Sequence, residues 1–305
     1  MIGIDAWRAR GRYLDTPDGR VWATDVARDG QRADPVLMLH GFPTCSWDFA
    51  EVIERILPSR RVITFDFLGF GLSDKPRAFG YSLFEQADVA LAVARAMRLE
   101  RVHVMAHDMG TSVATELLAR RERGVLPLDI VSLVLMNGSV HIEMAHLTFG
   151  QRLLKSKLGP LFAKLNSRAT FKAQLRRVFA IQPPEDELDA MWHLASRADG
   201  PSRFPSIIRY TEERARFRAR WIGALERCDI PALIAWGRKD PVAVIAIAEQ
   251  LAKETPGAKL EIWDDLGHYP QVEAPDRVAT SVSAFWNEVD AKRAAPRPPA
   301  TARPR

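Results

Sequence analysis

Ala106-His107-Asp108-Met109-Gly110 follows the apolar run Val102-His103-Val104-Met105 and precedes a helical pattern over residues 111–121. Small residues stand two before and two after Asp108. That is the spacing of a nucleophile elbow, where a tight strand-to-helix turn lifts one side chain into the open. The central residue is Asp rather than Ser, and a bland reading exists: a carboxylate capping the helix that follows.

Outward from this turn, strands and helices alternate. Residues 35–39, 62–65, 131–136 and 232–236 are short apolar runs that suit parallel strands buried on both faces, and residues 83–97 have helical spacing. A hairpin is expected around 10–14 and 21–26, with Pro17-Asp18-Gly19 between. Residues 147–165 and 185–197 read as helices and no strand-like run interrupts 141–226; residues 259–263 and a helix over 275–289 complete the pattern. The expectation is α/β: a mostly parallel twisted sheet with helices on both faces and an inserted helical cap. Residues 1–140 and 227–290 would form the core and 141–226 the cap.

The 305 residues carry 47% hydrophobic and 27% charged side chains, which excludes collagen-like and wholly disordered classes. No apolar run reaches the length of a membrane span, and residues 1–13 lack the apolar segment of a secretory signal. Of the net charge of +5, Lys292, Arg293, Arg297, Arg303 and Arg305 supply all, after the last acid, Asp290. Residues 291–305 therefore read as a disordered basic tail on a neutral body, and nucleic acid is not an expected partner. Cys45 and Cys228 have no paired spacing, which suits the reducing cytoplasm and neither a disulfide framework nor a zinc site.

Asp108 gains weight from its partners. Gly237-Arg238-Lys239-Asp240-Pro241 follows one strand and Leu266-Gly267-His268-Tyr269-Pro270 follows the next, so Asp108, Asp240 and His268 come in the chain order of an α/β-hydrolase triad. Singly, Asp240 could start a turn and His268 could be a loop histidine. His40-Gly41-Phe42-Pro43 follows the strand at 35–39, where the Phe42 backbone N–H, with that of Met109, can face a developing oxyanion. The loop 66–76 lacks a phosphate-binding glycine pattern and reads as structural.

These motifs resemble the α/β-hydrolases with an aspartate nucleophile, the epoxide hydrolase and haloalkane dehalogenase group. Within it the chain is similar to the mesoderm-specific transcript-like proteins in His40-Gly41-Phe42-Pro43-Thr44, Asp66-Phe67-Leu68-Gly69-Phe70-Gly71, Arg220-Trp221 with Gly223-Ala224-Leu225, and His268-Tyr269-Pro270-Gln271. The resemblance implies a covalent ester on Asp108, hydrolysed by water that His268 activates and Asp240 orients, with no cofactor or metal. The expected substrate is a small apolar electrophile, an epoxide ahead of a haloalkane; a catalytically idle ligand-binding protein is the alternative of another class.

Ring opening in this group uses two cap tyrosines. Tyr210 stands at a place similar to one of them, and no Tyr lies between Tyr81 and Tyr210 to be the other. Halide release uses N–H donors, a Trp after the nucleophile above all; here Met109 holds that position, and Trp192 has two readings, cap donor or packing residue beside Met191 and Leu194. His40 joins Tyr210 and Trp192 as a substrate or leaving-group candidate, while His107 reads as structural. The run Arg214, Arg216, Arg218 and Arg220, preceded by Glu212 and Glu213, reads as a solvated cap helix, with an anionic partner site as the alternative.

Overall fold

The structure, a computed structural model, describes residues 2–31 and 33–294. Eight strands form one sheet: β1 Gly11–Thr16, β2 Gly19–Val26, β3 Val36–Leu39, β4 Val62–Phe65, β5 Arg101–His107, β6 Asp129–Met136, β7 Ala232–Gly237 and β8 Lys259–Trp263. Their order is β1-β2-β4-β3-β5-β6-β7-β8, with β1, β2 and β4 pairing antiparallel and every later pair parallel. The expected sheet and hairpin are therefore present. β3, β4 and β7 are buried along their whole length, which is why they read as continuous apolar runs rather than alternating ones.

The helices are α1 Ile4–Arg10, α2 Ala50–Ile56, α3 Leu83–Ala96, α4 Met109–Glu122, α5 Phe149–Lys155, α6 Gly159–Lys164, α7 Arg168–Arg176, α8 Glu185–Ser196, α9 Phe204–Ile207, α10 Tyr210–Arg216, α11 Arg218–Glu226, α12 Ile245–Glu254, α13 Pro270–Glu273 and α14 Pro275–Ala294. Between β6 and β7 every regular element among the described residues is helical. None of the described helices is long and apolar enough to cross a membrane.

Three expectations need correction. The single helix over 147–165 is two, because Ser156 takes an extended conformation after α5 and α6 restarts at Gly159, where an added Cβ would meet the Leu154 carbonyl at 2.1 Å. The final helix runs on to Ala294, taking the first four residues of the expected tail; 295–305 lie outside the described residues. An unforeseen helix, α1, docks through Trp7, which is fully buried with ring centroids 5.3 Å from Trp22 and 5.8 Å from Trp47.

The sheet order reverses around β3, whose neighbours β4 and β5 run on to opposite edges. Open α/β sheets hold their ligands at such a switch point, outside the carboxyl ends of the strands. The loops after β3, β5, β7 and β8 carry Phe42, Asp108, Asp240 and His268 to that end.

Candidate active site

Asp108 sits between β5 and α4 with φ 45° and ψ −111°, a strained turn for a residue with a side chain. The turn holds because its carbonyl accepts from the Thr111 amide at 3.1 Å and the Thr111 hydroxyl at 2.6 Å. Glycine at 110 lets α4 cross β3: a Cβ there would lie 2.3 Å from the Leu39 carbonyl oxygen. Asp108 does not cap α4 with its side chain. Instead its Oδ2 accepts the Phe42 amide across the site at 2.8 Å.

Gly41 makes that contact possible, since a Cβ at 41 would lie 2.5 Å from the Asp108 Cβ. Gly41→Ala is expected to push the loop off Asp108, lose the Phe42 amide and lower kcat by about 10²–10³, the cost of one oxyanion donor. Steady-state kinetics with KM changed less than kcat would bear this out, and an unchanged kcat would deny Phe42 the role.

Asp240 and His268 meet as the chain order predicts, with His268 Nδ1 2.7 Å from Asp240 Oδ2. The other carboxylate oxygen accepts the Val242 and Ala243 amides at 2.8 and 3.0 Å. Asn137, after β6, donates to Asp240 Oδ2 at 2.8 Å and accepts the Gly237 amide at 3.1 Å, so it braces Asp240. Burial pushes the His268 imidazole down, but the charge and hydrogen bond of Asp240, with Asp108 and Glu273 adding, lift it to about 9. His107 is engaged by the main chain: its Nε2–H donates to the His268 carbonyl at 2.7 Å, and burial, with His268 close by, pushes it down to about 4.

A cleft opens beside His268, with Phe162, Phe171 and Leu175 of the helical insertion facing Phe42, His268 and Tyr269; Asp108 and Asp240 are not among the residues that line it. The wall is mostly apolar, with Asn166 and Gln174 among its few polar side chains. Asp108 keeps 5% of its side chain exposed. Met109 is buried directly behind it at the head of α4.

The remaining candidates divide. Tyr210 is buried with its ring centroid 6.2 Å from that of Phe42, and burial and the Asp108 charge push its hydroxyl well up, while Arg214 pulls it down. His40 does not face substrate: both ring nitrogens are used, Nδ1 with the Gly41 carbonyl at 2.9 Å and Nε2 accepting the Phe67 amide at 3.0 Å, so it clamps the loops after β3 and β4. Trp192, like Tyr210 and Arg214, is not on the cleft wall, and it packs behind Phe171 at 5.3 Å between ring centroids. Cys45 is buried, its thiol pushed well up by burial.

Arg214 overturns the reading of 214–220 as a solvated face. It is 1% exposed, donates Nε to the Ser112 hydroxyl at 2.8 Å and Nη2 to the Asp108 carbonyl at 3.0 Å, and lies 4.6 Å over the Tyr210 ring. Its Nη2 is 4.0 Å from Asp108 Oδ1. The chain breaks at Phe217 between α10 and α11, which turns Arg218 to Glu143 and Arg220 to Glu116. The spacing of four from Tyr210 carried the signal, since i and i+4 share a helix face.

The family described as alpha/beta hydrolase fold matches residues 34–275. LipZ of Mycobacterium tuberculosis, which carries a hydrolase name, is 44% identical over 280 residues, covering 90% of this chain and 95% of its own. The human mesoderm-specific transcript homolog protein is 36% identical over 294 residues, 93% of this chain and 88% of its own. Among solved structures, the haloalkane dehalogenase DbeA of Bradyrhizobium elkani superposes with a TM-score of 0.78 at 23% identity, covering 92% of this chain and 99% of that one. An esterase of Exiguobacterium antarcticum superposes at 0.75 and 21%, covering 91% and 99%; at such identities these two speak for the fold.

Proposed function

This chain belongs to the alpha/beta hydrolase fold family, and from that premise we propose that it opens a small apolar epoxide to a diol through an alkyl ester on Asp108. The observation that carries the reading is the carboxylate itself: a strained elbow holds it, Phe42 N–H engages Oδ2, and Oδ1 is left as the attacking oxygen. A carboxylate attacks a saturated carbon without a base. The Oδ1–carbon bond forms as the carbon–oxygen bond of the epoxide breaks, and the alkoxide takes the Tyr210 proton.

The second step needs a base. While Asp108 is ionised its charge helps hold His268 protonated; esterification removes that charge, and His268 gives its proton to the Tyr210 tyrosinate, which leaves a neutral imidazole when water must be activated. His268 takes a proton from water, the hydroxide attacks the Asp108 carbonyl carbon, and the Phe42 and Met109 amides hold the oxyanion. Collapse passes the hydroxyl proton of the intermediate to the departing alkoxide, which frees the diol and leaves His268 protonated as it began. Halide release has less support, with Met109 in the donor position and Trp192 behind Phe171. The pairing of His268 with Asp240 argues against an idle binding protein. Cys45 and Cys228 are free thiols, in keeping with a cytoplasmic enzyme.

Intact-mass spectrometry of His268→Gln after exposure to mixed epoxides and haloalkanes tests this. The expected adduct equals a whole epoxide on the peptide holding Asp108. An alkyl group without its halogen would mark a dehalogenase, and no adduct with a silent wild type would overturn the ester.

A further inference from the structure

We propose that Arg214 is a catalytic residue that receives the leaving oxygen: its buried guanidinium is the counter-charge to which the negative charge of Asp108 passes when the ester forms. The inference rests on the Asp108 ester and goes beyond it, because it selects substrates whose leaving atom stays tethered.

Arg214 is a permanent cation, 1% exposed, and its one ion pair among the described residues is the 4.0 Å approach to Asp108 Oδ1. That distance is too long for a hydrogen bond. The guanidinium is held instead by neutral groups, the Ser112 hydroxyl and the Asp108 main-chain carbonyl. It therefore stands beside the nucleophile without blunting it through a direct bond. Only an interaction stronger in the transition state than in the ground state raises kcat, and this arrangement leaves room for one.

Charge conservation supplies the rest. Attack by Oδ1 neutralises Asp108 and places one negative charge on the departing atom, with the electron pair of the broken bond. A buried guanidinium left without a counter-charge is costly. An epoxide avoids that cost, because its alkoxide remains bonded to the esterified carbon skeleton within the site, whereas a halide departs. Tyr210, one turn earlier on α10 and under the guanidinium at 4.6 Å, is the proton source on the same side. The resulting tyrosinate would again be paired with Arg214. An Arg–Tyr pair on one helix turn thus takes the place of the missing second tyrosine.

The test compares two epoxides of nearly equal size, 1,2-epoxypropane and its 3,3,3-trifluoro analogue, whose alkoxide is less basic. Rates of Asp108 alkylation are read by mass in single turnovers, in His268→Gln alone and with Arg214→Met or Arg214→Lys added. Arg214→Met is expected to slow the plain epoxide by about 10²–10³ and the fluorinated one by less than about tenfold. Arg214→Lys, which keeps the charge, should hold the ratio of the two rates within about threefold of the parent. Both rates come from the same protein preparation, so a loss of folded protein cancels in the ratio. Equal losses for both epoxides would make Arg214 a structural brace and overturn the proposal with the ester intact. No adduct in the His268→Gln parent would overturn the ester reading and this inference together.

Discussion

Asp240→Asn is expected to lower turnover by about 10⁴, the cost of the same exchange in a serine-protease triad, with the backbone unmoved. Oδ1 accepts the Val242 and Ala243 amides, so the carbonyl of an asparagine would stay there. Its NH₂ would then occupy the place of Oδ2, facing His268 Nδ1 and the Asn137 amide, both donors to Asp240 now. His268 must turn its lone pair toward that NH₂ and put its proton on Nε2, and the base for water is lost. The alkylation step does not use that base, so the variant should accumulate ester, which intact mass and burst kinetics would detect.

The pH dependence follows from the same pair. Burial pushes His268 down and Asp240 lifts it, to about 9 against an unfolded value of about 6.5. A group raised on folding contributes stability in full below its unfolded pKa and loses it as pH rises through its folded one. The gap in urea midpoint between wild type and Asp240→Asn should therefore be widest near pH 6 and narrow toward pH 9.5. A gap that widens with pH would mean that His268 is neutral in the resting enzyme.

How much of this could be read from residues alone differs by element. β4 and β7 fall on the apolar runs expected for them, because strands buried on both faces must be apolar throughout. The triad residues stand out because an elbow demands small neighbours and the acid and base arrive in a fixed order after strands. Trp192 and His40 show the limit. Residue type offers an indole N–H or an imidazole to a substrate, but Phe171 stands between Trp192 and the cleft, and the Gly41 carbonyl and Phe67 amide claim His40. Arg214 was hidden by its neighbours: in a string of alternating arginines, charge says solvent, and only the break at Phe217 and the packing of α10 against α4 single one out for burial. α1 was hidden by its length, since seven residues carry no period and their burial depends on one tryptophan meeting two others.

The largest loss of stability is expected from Glu116→Ala. Glu116 lies on α4 and is 1% exposed, yet its carboxylate accepts from Arg120 Nε at 2.8 Å, Arg220 Nε and Nη2 at 2.7 and 2.9 Å, and Trp221 Nε1 at 2.9 Å. Two cations and a fully buried indole, the last two groups from α11, converge on one acid. Removing it leaves Arg220 and the Trp221 indole without their acceptor, while Arg120 keeps Asp88 and the Phe84 carbonyl, and breaking a buried pair by deleting one partner costs about 3–5 kcal/mol. Glu116→Gln keeps an acceptor and the volume, so it should cost less. Burial pushes Glu116 up, but its arginine and tryptophan partners outweigh it, so the net displacement is downward. A depressed carboxyl contributes stability above its unfolded pKa of about 4.3 and loses it as pH falls through the folded value. The difference between wild type and Glu116→Ala in urea unfolding should thus be full at pH 7 and shrink below about pH 4. Function is tied to the same anchor, because α11 follows α10 and α10 carries Tyr210 and Arg214. Glu116→Ala should therefore slow Asp108 alkylation even in the folded fraction, whereas a loss of stability with alkylation unchanged would mean that α10 is held in place by its own contacts with Asp108 and Ser112.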